Sequence, residues 1–154
     1  MRAQAHVVDG SVKLFSRRLN DVTAAYPEIA EALSQLPRKA ILDGEIVAMR
    51  DGRVQPFRHL QARLQRKTVD GALLREVPLA YVAFDLLAVG DDLLIDEPLV
   101  RRRELLADLV EPNHHLLLAP FEPVEAGTAL RCVSSVRPTS PAASLPTVGW
   151  IRPT

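Results

Sequence analysis

The chain has 154 residues, 47% of them hydrophobic and 25% charged, which suits one domain with its own core. Its 19 basic and 19 acidic residues cancel, so no global field draws it to nucleic acid or membrane, and any such attraction has to be local. A single cysteine, Cys132, excludes an internal disulfide, no apolar run approaches the roughly 20 residues of a membrane span, and the start is too polar for a signal peptide, so the composition reads as cytoplasmic and globular.

Residues 2–8 and 11–16 flank Asp9-Gly10, a dipeptide that favours the type I′ turn of a tight hairpin. No capping residue or loop precedes the first strand, and the domain is expected to lack what should come before Met1. The polar connection that follows holds Arg17 and Arg18, which could bind phosphate through charge-assisted hydrogen bonds or simply stay solvated. Pro27 and Glu28 then mark the first turn of a helix with Ile29, Leu33 and Leu36 as its apolar stripe, ended by Pro37.

Residues 40–49 set two carboxylates in an otherwise apolar strand. Alternation puts Asp43 and Glu45 on one face with Ile41 and Val47, and Gly44 on the other with Leu42 and Ile46. Two acids about 7 Å apart on a covered surface are costly unless a metal, an arginine or ligand hydroxyls meet them; at a rim they are simply solvated. Asp51-Gly52 turns this strand into a second hairpin whose return strand stops at Pro56. Phe57, Leu60 and Leu64 recur at helical spacing, with Arg58, Arg63, Arg66 and Lys67 on the remaining faces. Such a basic face could follow a nucleic-acid backbone or be an ordinary solvated surface.

The pattern is weak over 68–78. Residues 79–87 then form an apolar run expected to be a strand covered on both faces, in which alternation separates Phe84 from Asp85. Phe84 alone reads as core, whereas an acid inside a covered run needs a partner. Gly90-Asp91-Asp92 marks a turn. Asp96-Glu97-Pro98 is expected to start a helix with an N-cap and a proline at the first position, Leu99, Leu105, Leu106 and Leu109 on its buried side, and Arg101, Arg102 and Arg103 as a compact positive cluster. His114 and His115 are adjacent and cannot easily share a metal on a strand, so solvated loop histidines are expected. Residues 121–154 are divergent and rich in Pro and Ser, without periodicity, and read as a disordered tail after a domain at 1–120. Hairpin signals dominate and regular βαβ alternation is absent, so the expected fold class is α+β: a mostly antiparallel sheet flanked by three helices.

Five segments, in order, resemble one family: Arg2-Ala-Gln-Ala-His, Leu14-Phe-Ser-Arg-Arg-Leu-Asn-Asp-Val-Thr, Leu42-Asp-Gly-Glu-Ile-Val-Ala, Val82-Ala-Phe-Asp-Leu-Leu and Pro98-Leu-Val-Arg-Arg-Arg-Glu-Leu-Leu. Together they are similar to the adenylation domain of ATP-dependent DNA ligases, a partial ATP-grasp-like nucleotidyltransferase domain, over Arg2 to about Pro120. The resemblance implies a lysine that attacks the α-phosphate of ATP, transfer of AMP to the 5′-phosphate of a DNA nick, and sealing by the 3′-hydroxyl, as in DNA repair and recombination. It implies that Arg2 closes the motif of the nucleophilic lysine and touches the nucleotide, and that Arg17 lies near nucleotide and DNA phosphate. It further implies that Glu45 holds a ribose hydroxyl or assists magnesium, and that Phe84 packs on adenine. ATP and Mg2+ are the implied cofactors. Nicked double-stranded DNA is the implied partner, met by Arg17, Arg18, Arg58 and Arg63.

No Lys-x-Asp-Gly motif precedes Arg2 within the chain, and none of Lys13, Lys39 or Lys67 stands in that context. The family's later lysine motifs are not found either. The expectation is therefore a ligase fragment, truncated at both ends, that does not self-adenylate. The alternatives are a non-catalytic nucleotide- or DNA-binding remnant and the product of a damaged gene.

Overall fold

In the computed structural model, which describes residues 1–64, 69 and 71–121, Asp9 and Gly10 take φ of 49° and 76°. Two consecutive positive φ values define the expected type I′ turn, and it joins β1 (Arg2–Val8) to β2 (Ser11–Ser16). Asp51 and Gly52, at 50° and 67°, make the same turn between β3 (Ala40–Arg50) and β4 (Arg53–Val54). With β5 (Leu79–Val89), β6 (Asp92–Leu93) and β7 (Leu116–Leu118), the sheet runs β2-β1-β3-β5-β6, with β4 on β3 and β7 on β5. Every pairing is antiparallel except β5 with β7, so the mostly antiparallel α+β expectation holds.

A 3-10 turn (Thr23–Ala25) leads into α1 (Pro27–Ser34), which has its proline in the first turn and buries Ile29 and Leu33; Leu36 lies beyond its end. Then come α2 (Phe57–Leu64), α3 (Gly71–Glu76) and α4 (Leu99–Leu109). Four helices thus stand among the described residues where three are expected. The additional α3 buries no residue fully, and so leaves no apolar stripe in the sequence. The start of α4 also differs from expectation. Pro98 occupies the cap position itself and no side chain caps the helix, while Leu99 is 43% exposed instead of buried.

Cross-strand neighbours share a face. Ala3, Gly44 and Ala83 lie in register on one face, and Arg2, Glu45 and Val82 on the other. The first face makes the main core, where Ala3, Ala5, Leu14, Leu42, Ile46, Tyr81 and Leu86 cluster with Tyr26, Ile29 and Leu33 of the α1 region and Leu106 and Leu109 of α4. The other face carries a smaller cluster of Val47, Ala80, Val82 and Leu117. Gly44 is required where it stands. A Cβ there would lie 2.7 Å from Tyr81 Oη, and that ring cannot swing away, because Tyr81 is 0% exposed with Oη 3.0 Å from Ala3 O and 3.2 Å from Leu42 O. The expected tail at 121–154, apart from Phe121, lies outside the described residues, as do Arg66, Lys67 and Cys132. Among the described residues no helix is long and apolar enough to cross a membrane.

Candidate functional site

Strand alternation would put Phe84 and Asp85 on opposite faces, but the ladder between β3 and β5 is broken at this point. Asp43 pairs with Asp85 and Gly44 with Ala83, which leaves Phe84 as an extra residue, a β-bulge. Val82 pairs with Glu45, so Phe84, two residues on, falls on the Glu45 face, and the bulge brings Asp85 round to the same face opposite Asp43. The result is a half-exposed aromatic ring beside three carboxylates, Asp43, Glu45 and Asp85, on the face away from the main core.

Two guanidinium groups meet those carboxylates. Arg2 donates from Nε to Asp43 Oδ1 at 3.2 Å and from Nη2 to Oδ2 at 2.5 Å, and its Cζ stands 5.6 Å from the Phe84 ring centroid. The Asp43 hydrogen bond and charge, with Asp85 adding a smaller pull, raise the Arg2 pKa. Its side chain is still 63% exposed and can turn to a ligand. Arg102 of α4 grips Asp85 with both arms of its fork, Nε to Oδ1 at 2.8 Å and Nη2 to Oδ2 at 2.9 Å, and this bond raises the Arg102 pKa. That is the partner an acid in a covered strand requires. Glu45 Oε1 lies 3.1 Å from the α-amino group of Met1.

The expected Arg101–Arg103 cluster is dispersed. Arg101 pairs along the helix surface with Glu104 at 3.2 Å, Arg102 holds Asp85, and Arg103 is buried, donating from Nη1 to Phe84 O at 2.7 Å and from Nη2 to Ala119 O. Burial lowers the Arg103 pKa, and the Phe121 ring covers the guanidinium with its centroid 5.2 Å from Cζ. Reading residues 101–103 by charge alone hides this arginine. Its position three residues before Leu106, on the buried stripe, is the available signal.

The other expected phosphate contacts fare differently. Arg17 and Arg18 are exposed in the turn after β2, where Leu19 adopts a positive φ of 60°, and neither side chain has a hydrogen bond or ion pair among the described residues. The β1–β2 ladder ends at the pair of Ala3 with Ser16, where the chain turns, with Leu19 N donating to Ser16 O at 2.8 Å. Arg58 is exposed on α2 and lines a groove with Met49, Arg50, Gln55 and His59. Arg63 corrects the sequence reading. Expected on the solvated basic face, it is 0% exposed, 2.8 Å from Glu28 Oε1, and donates to Val77 O and Ala25 O at 3.1 Å each. It ties α2 to α1 and presents no free face to a phosphate. His115 is likewise half-buried, with Nδ1 2.7 Å from Leu79 O, whereas His114 is exposed as expected.

Chemically, the face offers a planar apolar surface, carboxylates that accept from hydroxyls, and an exposed guanidinium for an anion. No group of three or more His, Cys, Asp or Glu is spaced to hold a metal among the described residues. Glu45 supplies one part-exposed carboxylate, paired here with the Met1 amino group, of the oxygen-donor type that magnesium takes together with substrate phosphates.

The comparisons with known proteins agree with one another. Residues 1–127 match the model of the ATP dependent DNA ligase domain. A probable DNA ligase of Koribacter versatilis is 48% identical over 106 residues, covering 69% of this chain and 18% of that protein. The DNA ligase of Pyrobaculum calidifontis is 42% identical over 124 residues, covering 78% of this chain and 21% of that protein. The crystal structure of the ligase domain from M. tuberculosis LigD superposes with a TM-score of 0.56 at 31% identity, covering 70% of this chain and 32% of that one. Mycobacterial DNA ligase D complexed with ATP and MES gives 0.55 at 31% identity. The chain spans about a fifth of the length of these curated relatives. With most of its length matched by one family model and two ligase structures sharing its fold, the chain belongs to the ATP-dependent DNA ligase domain family.

Proposed function

We propose that this chain forms part of the adenylation domain of an ATP-dependent DNA ligase, and that the sheet face bearing Arg2, Glu45 and Phe84 is a wall of its adenine nucleotide site. The observation that supports this most is the convergence of all three on one face, with a bulge turning Phe84 and Asp85 to the same side. In this reading the half-exposed Phe84 ring packs on adenine, since an aromatic face suits a planar base. Glu45 accepts from a ribose hydroxyl, or holds magnesium together with the phosphates. Arg2, once it exchanges its Asp43 bond for the ligand, offsets charge on the α-phosphate. Magnesium, when bound, would neutralise phosphate charge. Arg17, Arg18 and Arg58 contact the phosphates of nicked DNA, independently of sequence.

This chain is proposed not to adenylate itself. Lys13 is paired with Asp21 at 2.8 Å and Lys39 with Asp91 at 2.5 Å, and the Asp91 bond raises the Lys39 pKa and keeps that amine protonated. A protonated amine is a poor nucleophile, and neither lysine is in a Lys-x-Asp-Gly context. The same observation favours the second reading, a nucleotide- or DNA-binding unit without chemistry of its own.

Calorimetric titration with ATP and magnesium tests the site. Saturable binding is expected, weakened roughly tenfold in Phe84→Ala, as fits the loss of one base-aromatic stack, and weakened also in Glu45→Gln and Arg2→Ala. An affinity indifferent to all three substitutions would count against the proposal.

A further inference from the structure

We infer that Arg103 is a positioning residue for Phe84: through the backbone of the β5 bulge it sets where the ring stands on the sheet face. The inference rests on the nucleotide-site reading for its consequence, but not for its geometry. A bulge leaves backbone groups outside the ladder, and buried groups of that kind need other partners. Next to the bulge, Ala83 O stays in the β5–β7 pairing, accepting from Ala119 N at 2.8 Å, whereas Phe84 O accepts from Arg103 Nη1 at 2.7 Å and Leu86 N donates to Asp85 Oδ1 at 2.9 Å, with Arg102 holding that carboxylate.

Of these supports, the Arg103 bond acts on the residue whose ring is at issue. The guanidinium comes from α4 and bonds both Phe84 O and Ala119 O, fastening the bulge to the end of β7. It lies behind the Phe121 ring and is almost wholly buried, so water cannot readily replace its donors when they are lost. Without Arg103, Phe84 O would have to find another donor. The nearest regular solution is for β5 to slide back into the ladder, and removing the bulge returns one of Phe84 and Asp85 to the opposite face. Arg103 therefore touches no ligand, yet it governs the aromatic surface a ligand would meet.

The test has two parts, so that this inference and the nucleotide reading can fail separately. In nucleotide-free protein labelled with fluorinated phenylalanine, the Phe84 resonance is assigned by its loss in Phe84→Leu. Arg103→Met should shift or broaden that resonance, while those of Phe15 and Phe57 stay in place. Arg103→Lys, which keeps one donor and serves if the methionine variant does not fold, should give a smaller shift. An unmoved Phe84 resonance in a folded Arg103 variant overturns the inference whatever the nucleotide does. The second part compares ATP with inorganic tripolyphosphate, which has no base to stack. Arg103→Met is expected to weaken ATP roughly tenfold, the scale of losing the stack itself, to leave tripolyphosphate unchanged, and to add nothing further in a Phe84→Ala background. Equal loss of both ligands, or losses that add to that of Phe84→Ala, would reduce Arg103 to general stability and refute a positioning role. A shifted resonance together with a Phe84→Ala variant that binds ATP normally would support the positioning of the ring and overturn only the nucleotide reading.

Discussion

Gly44→Ala isolates one steric requirement of the sheet that presents the site. Gly44 does not have a positive φ, so alanine suits its backbone, and the whole cost is that of the added methyl. That methyl would lie 2.7 Å from both Cε1 and Oη of Tyr81, well inside van der Waals contact. Tyr81 is packed between β1 and β3 with its hydroxyl against two strand carbonyls, and burial pushes its pKa well above the usual range, as for a phenol held away from water. Overpacking of this kind costs about 1–3 kcal/mol. If the ring withdraws from Ala3 O and Leu42 O, the lost hydrogen bonding adds about 1 kcal/mol. The expected loss is thus about 2–4 kcal/mol, a large share of the 5–15 kcal/mol that typically holds a domain folded. Equilibrium urea unfolding followed by far-ultraviolet circular dichroism reads this as a lower midpoint at unchanged slope. Tyr81→Leu in the same chain removes the obstructing ring end, so the double variant should lose less than the sum of the two single ones. A Gly44→Ala chain within about 0.5 kcal/mol of wild type, the range of ordinary surface substitutions, would refute the reasoning.

Other expectations follow from single contacts. Arg63→Ala leaves Glu28 buried without its partner and should destabilise by about 3–5 kcal/mol in the same assay, whereas Arg58→Ala should leave stability alone and weaken DNA binding at low salt; an Arg63→Ala chain of normal stability would contradict the burial described. Asp21 bonds Lys13 and the Thr23 hydroxyl and backbone, which hold its pKa well below the usual carboxylate range, so its contribution to stability is present above the unfolded pKa of roughly 3.9 and lost as pH falls through the folded value. A carboxyl titration by carbon NMR should place the folded Asp21 midpoint below that of Asp21 in urea, and an equal or higher midpoint would show the pairing absent in solution. Incubated with labelled ATP and magnesium, the chain should form no acid-labile AMP adduct on denaturing gels; a stoichiometric adduct would show that one of its lysines is activated after all.

Much of the fold is legible in local chemistry. Asp9-Gly10 and Asp51-Gly52 mark their hairpins because type I′ geometry demands two positive φ values that few dipeptides tolerate. The faces of β3 follow from alternation, with Asp43 and Glu45 together and Gly44 opposite. The bulge was not legible. A period-2 reading of residues 79–87 has no means of showing that β5 holds an extra residue, Phe84, against Asp43 and Gly44 of its partner, and so it separates Phe84 from Asp85 where the sheet unites them. Arginines were the other blind spot. Arg63 and Arg103 are as polar in sequence as Arg58 and Arg101, and only tertiary acceptors (Glu28, Val77 O and Ala25 O for one, Phe84 O and Ala119 O for the other) distinguish a buried clamp from a solvated charge. Conversely, the requirement that Asp85 find a partner followed from burial alone, and Arg102 meets it.

The most direct test of the central claim is to map where ATP meets the chain. Titration of isotopically labelled protein with ATP and magnesium, followed by amide and arginine side-chain NMR, should move the signals of Arg2, Glu45, Phe84 and Asp85 together and saturably. Shifts confined to the groove between the ends of α1 and α4, lined by Gln35, Leu36, Asp108 and Glu111, with the Phe84 face silent, would contradict the account.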